Sequence, residues 1–215
     1  MKIEIQSQKP EYFKEEWPGQ YDIFHWFELV CGIPHILFMI STYKENGKPN
    51  ACFHSWSSFF GDGGGFFAVM PGVLRQSHTY ANILRTKEFC VNFLSRDHLE
   101  GCQKTIEENS LETDEFAAGG FTLEPSKTIH APRIKESFLT LECSLELEKD
   151  LSQKSISSLI IGRVNAIAID EKFASGFDNR YGEQGFMFNI HKPKNPLNAT
   201  GDLSGIGLMN IVKKY

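Results

Sequence analysis

The sequence lacks paired cysteines, long apolar runs and clusters of basic residues. Its five cysteines form no CxxC pair, which argues against a disulfide framework and against a four-cysteine zinc site. No segment reaches the roughly 18 consecutive apolar residues that a membrane-spanning helix needs. Residues 1–6 alternate polar and apolar side chains and lack the apolar run of a signal peptide. We therefore expect a cytoplasmic protein with reduced thiols and no membrane partner.

Charge and histidine spacing exclude two further classes. The chain has 22 Lys and Arg against 27 Asp and Glu, a net charge of −5, whereas proteins that bind nucleic acid usually present a basic face. The seven histidines show neither HxH nor HExxH spacing. His98 and Cys102 lie four residues apart, but a zinc site needs three or four ligands. We expect no nucleic-acid partner and no metal.

Aromatic residues and turn signals are abundant instead. Phenylalanine supplies 18 of the 215 residues, and apolar segments alternate with turns at intervals that suit a β-barrel. Asn46-Gly47 between two apolar segments is a strong hairpin signal. Residues 138–147 are apolar at nearly every second position, the pattern of a strand with one buried and one exposed face.

These patterns predict an all-β dominated fold, β with peripheral helices. Strands are predicted at residues 35–43, 50–58, 66–70, 88–95, 138–147 and 157–169, and short helices at 79–85, 98–108 and 114–118. We expect a single domain over residues 1–215. Within it, residues 175–215 form a C-terminal extension, rich in Gly, Asn, Pro and Lys, that packs on or caps the rest.

Two motifs with known chemistry are absent. The run Gly61–Gly65 fits neither GxGxxG nor the phosphate-binding GxxxxGK[ST] pattern, so we interpret it as a hairpin loop. No GxSxG nucleophile elbow occurs either, and Ser55-Trp56-Ser57-Ser58 is more typical of a strand surface or a hydrogen-bonding lining. The sequence therefore identifies no catalytic side chain.

The segment from Arg75 to Ile83 carries the strongest local indication of a ligand. It combines a guanidinium, the imidazole of His78 and the hydroxyls of Ser77 and Thr79 with a predicted helix start. Free N–H groups and the helix dipole favour an anion there, and Arg binds phosphate oxygens in a bidentate manner. The segment is either a phosphate site or a capped surface helix beside an incidental Arg.

Several motifs, taken in order, resemble the flavin reductase-like family with the FMN-binding split barrel, which includes flavoredoxins. They are Asn46-Gly47-Lys48-Pro49-Asn50-Ala51, Ser55-Trp56, the run from His78 to Asn92, the runs from Asp114 to Phe121 and from Ala131 to Ser137, Leu141-Glu142-Cys143, and the run from Ile160 to Val164. They extend over roughly residues 30–170, most of the chain.

The resemblance implies an FMN-binding split β-barrel that forms a homodimer, with FMN near the subunit interface. Hydride transfer at the flavin N5 atom would then make the protein an FMN-dependent oxidoreductase, with NAD(P)H as an optional co-substrate. The implied flavin-lining residues are Asn50, Ala51, Ser55, Trp56 and Ser57, and the implied phosphate-binding residues are Arg75, Ser77, His78, Thr79 and Asn82. The tail piece 186–188 with His191 either closes over the flavin or packs as a strand.

Two departures from the family pattern concern the second substrate. Phe59 to Gly65 stands where family members often have a segment ending in Pro-Pro, and Ser157-Ser158-Leu159 stands where a histidine often precedes the late Ile-Gly. Both put the nicotinamide half of the reaction in question more than flavin binding. The alternatives are a flavin-binding carrier without turnover and a barrel that binds another phosphorylated small ligand.

Overall fold

The computed structural model describes residues 1–174, 176–190, 192, 195, 200, 201 and 204–212. Its strands are β1 His35–Ile36, β2 Phe38–Tyr43, β3 Pro49–His54, β4 Ser58–Asp62, β5 Gly65–Leu74, β6 Glu88–Phe93, β7 Leu123–Glu124, β8 Arg133–Ile134, β9 Leu139–Lys149, β10 Ser157–Ile169, β11 Met187–Ile190 and β12 Gly205–Leu208. Its α-helices are α1 Gln20–Ile23, α2 Trp26–Cys31, α3 His78–Thr86, α4 Leu99–Lys104, α5 Glu115–Gly119 and α6 Glu171–Ala174. Within these residues, no helix is long and apolar enough to cross a membrane.

Seven strands form one antiparallel sheet in the order β3-β2-β6-β9-β10-β5-β4. The predicted Asn-Gly hairpin is confirmed, because β2 and β3 pair from Phe38 opposite His54 to Tyr43 opposite Pro49. The predicted strand at 157–169 coincides with β10, and the alternating segment 138–147 falls within one residue of the start of β9. The strand-dominated fold class is therefore confirmed.

One apolar cluster shows that this sheet curves around its core. Buried side chains of β2 and β5, the second and sixth strands in the order, meet in the same cluster as Phe89 of β6 and Ile160 of β10. Gly162 makes this closure possible, since a Cβ there would lie 2.4 Å from Cζ of Phe89. Only glycine permits so close an approach.

The hairpin predicted at the glycine run is confirmed, with residues 63 and 64 between β4 and β5. Other local predictions are wrong in extent. The segment 50–58 is not one strand, because β3 ends at His54 and Ser58 begins β4. The helix predicted at 98–108 ends at Lys104. The helices α1 and α2 were not predicted, since each is a turn or two long and carries little periodic pattern.

The C-terminal segment contributes to a second, smaller sheet. Strands β11 and β12 pair with each other, and β11 also pairs with β1. The piece 186–188 therefore starts a strand, while His191 lies outside the described residues. The organisation of residues 1–215 as a single domain with a C-terminal extension stays a prediction.

Candidate functional site

A cavity of about 160 Å³ lies where β3, the end of β5 and the start of α3 meet. Phe24, in the segment between α1 and α2, closes one side, and its ring stacks on Trp56 with centroids 5.6 Å apart. The lining combines these rings with the backbone of Gly72 and with polar side chains from β3 and α3. A flat apolar slot with a few polar groups at its edge is typical of small-ligand sites.

The N-terminus of α3 points hydrogen-bond donors toward this cavity. Ser77 caps the helix by accepting from the N–H of Tyr80, and its own hydroxyl donates to the Leu74 carbonyl. In the described part of the chain, the N–H groups of His78 and Thr79 have no hydrogen-bond acceptor. Because both residues line the cavity, these donors and the helix dipole suit an anionic group.

A buried polar network fixes the helix against the sheet. The Asn50 amide donates to Oγ1 of Thr79 (3.0 Å) and Oγ1 of Thr42 (3.2 Å), and the Asn82 amide donates to the same Thr42 oxygen (3.0 Å). All four residues are buried. Such satisfied networks hold side chains in one geometry, so Asn50 and Thr79 have fixed positions at the cavity wall.

The structure brings six of the ten predicted site residues to this cavity. Asn50, Ala51, Trp56, Ser77, His78 and Thr79 line it, whereas Ser55, Ser57, Arg75 and Asn82 do not. Ser55 is buried. The Ser57 hydroxyl donates to the carbonyl of Ser55 (3.3 Å). Asn82 does not contact the cavity but donates to Thr42, which also accepts from the cavity-lining Asn50.

Arg75 faces acidic side chains. Its Nη1 lies 3.5 Å from a carboxylate oxygen of Asp150 and 3.7 Å from one of Glu148, and the guanidinium stands over the Tyr80 ring. These partners lie just beyond or at the end of β9, far from Arg75 in sequence. The contact of Arg75 with a phosphate therefore stays a prediction.

The cavity also contains polar residues that sequence reasoning missed, His54 and Glu115. Burial lowers the pKa of His54 to about 4, so the imidazole is neutral at pH 7, and burial raises the pKa of Glu115 although Lys44 opposes the shift. In the described structure, Nε2 of His54 and Oε2 of Glu115 are buried without a hydrogen-bond partner. Unpaired buried polar atoms are costly, so both suit a ligand with its own donors and acceptors.

The period-two pattern of β3 was an available indication of His54. Residues 50, 52 and 54 lie on the same face of a strand, so assigning Asn50 to the cavity also predicts Cys52 and His54 there. Glu115 carried no comparable indication, because it reaches the cavity from α5, which lies 61 residues beyond His54 in the sequence.

The cavity also contains a thiol, that of Cys52. Burial raises the pKa of this thiol to about 11, so it is protonated at neutral pH and a poor nucleophile. We expect Cys52→Ala to keep its ligand and its activity. Under the flavin-dependent activity that the sequence resemblance implies, a Cys52→Ala variant that still binds flavin but loses NAD(P)H oxidation, measured by NAD(P)H absorbance, would contradict this expectation.

Comparisons with known proteins identify what the chain is similar to. An uncharacterised protein of Aquifex aeolicus is 34% identical over 131 residues, which cover 55% of this chain and 63% of that protein; the match thus spans less than two thirds of that relative. The 2-nitrobenzoate 2-nitroreductase NbaA of Pseudomonas fluorescens is 25% identical with a TM-score of 0.60, covering 72% of this chain and 76% of that one.

A third comparison covers both chains completely and concerns the fold alone. Nitrilotriacetate monooxygenase component B of Bacillus cereus matches with a TM-score of 0.71 at 16% identity, over 100% of each chain. The family described as the flavin reductase like domain matches residues 30–183. That range includes both the split β-barrel formed by the seven-stranded sheet and every predicted site residue. The chain therefore belongs to the flavin reductase-like domain family.

Proposed function

We propose that the protein is an FMN-binding oxidoreductase, acting as an NAD(P)H:flavin reductase or as a flavoredoxin-like electron carrier. Family membership supports the coarser statement, a flavin-related oxidoreductase role. The observation that carries the finer one is the cavity. It combines the Phe24–Trp56 stack with two helix N–H groups and with polar atoms of His54 and Glu115 that have no hydrogen-bond partner among the described residues.

These groups match the parts of FMN by their chemistry. The His78 and Thr79 N–H groups with the His78 side chain suit the phosphate. Trp56 and Phe24 offer apolar surface to a flat ring system, and Asn50, Thr79 and His54 supply hydrogen-bonding groups for its polar edge. A bound flavin supplies two-electron transfer at its N5 atom, so the chain itself has to bind, orient and exclude water.

Two further features belong to the proposal. We propose that the protein acts as a homodimer in the cytoplasm and that Ser55, Ser57, Arg75 and Asn82 support the site around the cavity-lining residues. Light scattering would test the dimer against the chain mass of 24.4 kDa.

The visible absorption spectrum of the purified protein is the first test. A flavin spectrum, with the released flavin identified as FMN, is expected. If no flavin spectrum is seen even after reconstitution with FMN, the alternative is favoured, namely that the barrel binds another phosphorylated small ligand. Oxidation of NAD(P)H under air by the loaded protein separates the reductase from a carrier without turnover, which would bind flavin but leave NAD(P)H unchanged.

The phosphate assignment predicts a difference between FMN and riboflavin. His78→Ala is expected to weaken FMN binding by roughly 10- to 150-fold, because one charge-assisted hydrogen bond contributes roughly 1.5–3 kcal/mol. Riboflavin, which has no phosphate, should bind both proteins alike. Titration of each flavin into each protein by calorimetry gives this double difference.

An equal loss of affinity for FMN and riboflavin would mean that His78 contacts the flavin ring or supports the fold. The assignment of His78 to a phosphate site would then be wrong. Arg75→Gln is titrated in parallel. A loss confined to FMN would place Arg75 in the phosphate site, whereas unchanged binding would leave it as the partner of Glu148 and Asp150.

A further inference from the structure

A second cavity, of about 410 Å³, lies apart from the first. Among the residues that the structure describes, the two cavities share no lining residue. Rings of Phe59, Phe93 and Phe186 and aliphatic side chains of β9 and β10 form its walls, and Arg180 is the one polar residue among those that line it in the described chain. Its volume falls in the usual range of ligand sites, about 300–1,000 Å³.

The mouth of this second cavity is accessible. Phe66 and Ile167 stand at its wall with 38% and 55% of their surface exposed. The walls behind them are closed, since Phe93 and Leu141 are each 3% exposed. An apolar molecule can therefore enter past Phe66 and Ile167 and reach the rings of the interior.

Arg180 is held in place but unpaired in charge. Its Nε donates to the Phe173 carbonyl (3.1 Å), and its own carbonyl accepts from the N–H of Phe186 (2.9 Å). Gly185 packs directly on that carbonyl, where a Cβ would lie 1.9 Å from the oxygen. Across the described residues, no Asp or Glu pairs with Arg180, and its two terminal nitrogens have no acceptor.

A fixed guanidinium whose two terminal nitrogens have no acceptor among the described residues matches the two oxygens of a carboxylate. The other described lining residues are apolar, so they offer no partner for a second charge or for a sugar. We propose that the second cavity binds an organic monocarboxylate with an apolar chain or ring, its carboxylate on Arg180 and its apolar part among Phe59, Phe93 and Phe186. This site is independent of the proposed flavin function.

Octanoate is the probe, and octan-1-ol is its uncharged counterpart. Calorimetric titration of the full-length protein is expected to show saturable octanoate binding. Arg180→Gln should weaken octanoate binding by about tenfold or more, the effect of losing a charge-assisted contact. It should leave the affinity for octan-1-ol unchanged. Arg163→Gln is the matched control, because Arg163 pairs with Glu146 on the surface and lines neither cavity.

A second variant keeps the test decisive if Arg180→Gln folds poorly. Ile167→Trp adds bulk at the exposed mouth, so it should weaken octanoate and octan-1-ol together. The proposal is wrong if the wild type does not bind octanoate or if Arg180→Gln binds it as tightly as the wild type. It is equally wrong if Ile167→Trp changes the affinity for neither octanoate nor octan-1-ol. It is also wrong if light scattering shows that octanoate binds only after a dimer dissociates, since a second copy then fills the cavity.

Discussion

Lys44→Met is expected to lower the free energy of unfolding by about 3–5 kcal/mol, the usual effect of removing one partner of a buried ion pair. Lys44 is 2% exposed. Its ammonium donates to the Glu115 carboxylate (2.6 Å) and to the carbonyls of Ser110 (2.9 Å) and Thr113 (2.7 Å). Methionine fills a similar volume, so the variant leaves a buried carboxylate and two carbonyls without their donor.

Urea unfolding followed by circular dichroism measures this loss. Lys48→Met is the matched control from the same hairpin turn, because Lys48 pairs with Glu112 on the surface, where side chains are 39% and 75% exposed, and exposed pairs contribute little. The double variant Lys44→Met/Glu115→Gln should recover part of the stability by removing the stranded charge. Equal losses in Lys44→Met and Lys48→Met would contradict the expectation.

Glu142→Gln is expected to lower stability by about 3 kcal/mol at pH 7 and to reduce acid sensitivity. Burial raises the pKa of Glu142, but hydrogen bonds from Thr128, from the Lys127 N–H and from Arg133 outweigh it and lower the pKa to about 2 from an ordinary 4.5. The ionised form therefore stabilises the fold above pH 4.5. This contribution is lost as the pH falls toward 2.

Unfolding curves at pH 7, 4 and 3 test this dependence. The difference between wild type and Glu142→Gln should shrink as the pH falls below 4.5. Glu146→Gln, on the same strand, is the control, because Glu146 pairs with Arg163 at the surface and exposed pairs add little. A difference that stays constant with pH would mean that Glu142 acts only through packing.

Sequence reasoning succeeded where the determinants are local. The Asn-Gly turn fixed the β2–β3 hairpin, and Ser77 fixed the start of α3 within one residue of the predicted helix. The family resemblance supplied the site residues, and four of the six that line the cavity lie on these two elements, Asn50 and Ala51 on β3 and His78 and Thr79 on α3.

The ion pairs of Arg75 and Lys44 could not be predicted, because their partners are distant in the sequence. Arg75 next to a helix start indicates an anion site locally, but in the fold it meets Glu148 and Asp150, more than 70 residues away. Lys44 similarly depends on Glu115, 71 residues away. Such pairs depend on how strands pair in the sheet and on how α5 packs against β3, and no local period carries that information.

The stack of Phe24 on Trp56 makes the cavity depend on a segment outside the matched barrel. Phe24 lies outside the part of the chain that matches the family, which begins at residue 30. One wall of the cavity is therefore supplied by residues that precede the part matched by the family model. A substitution of Phe24 would change the shape of the ligand cavity, while the strands of the barrel would keep their pairing register, because Phe24 belongs to none of them.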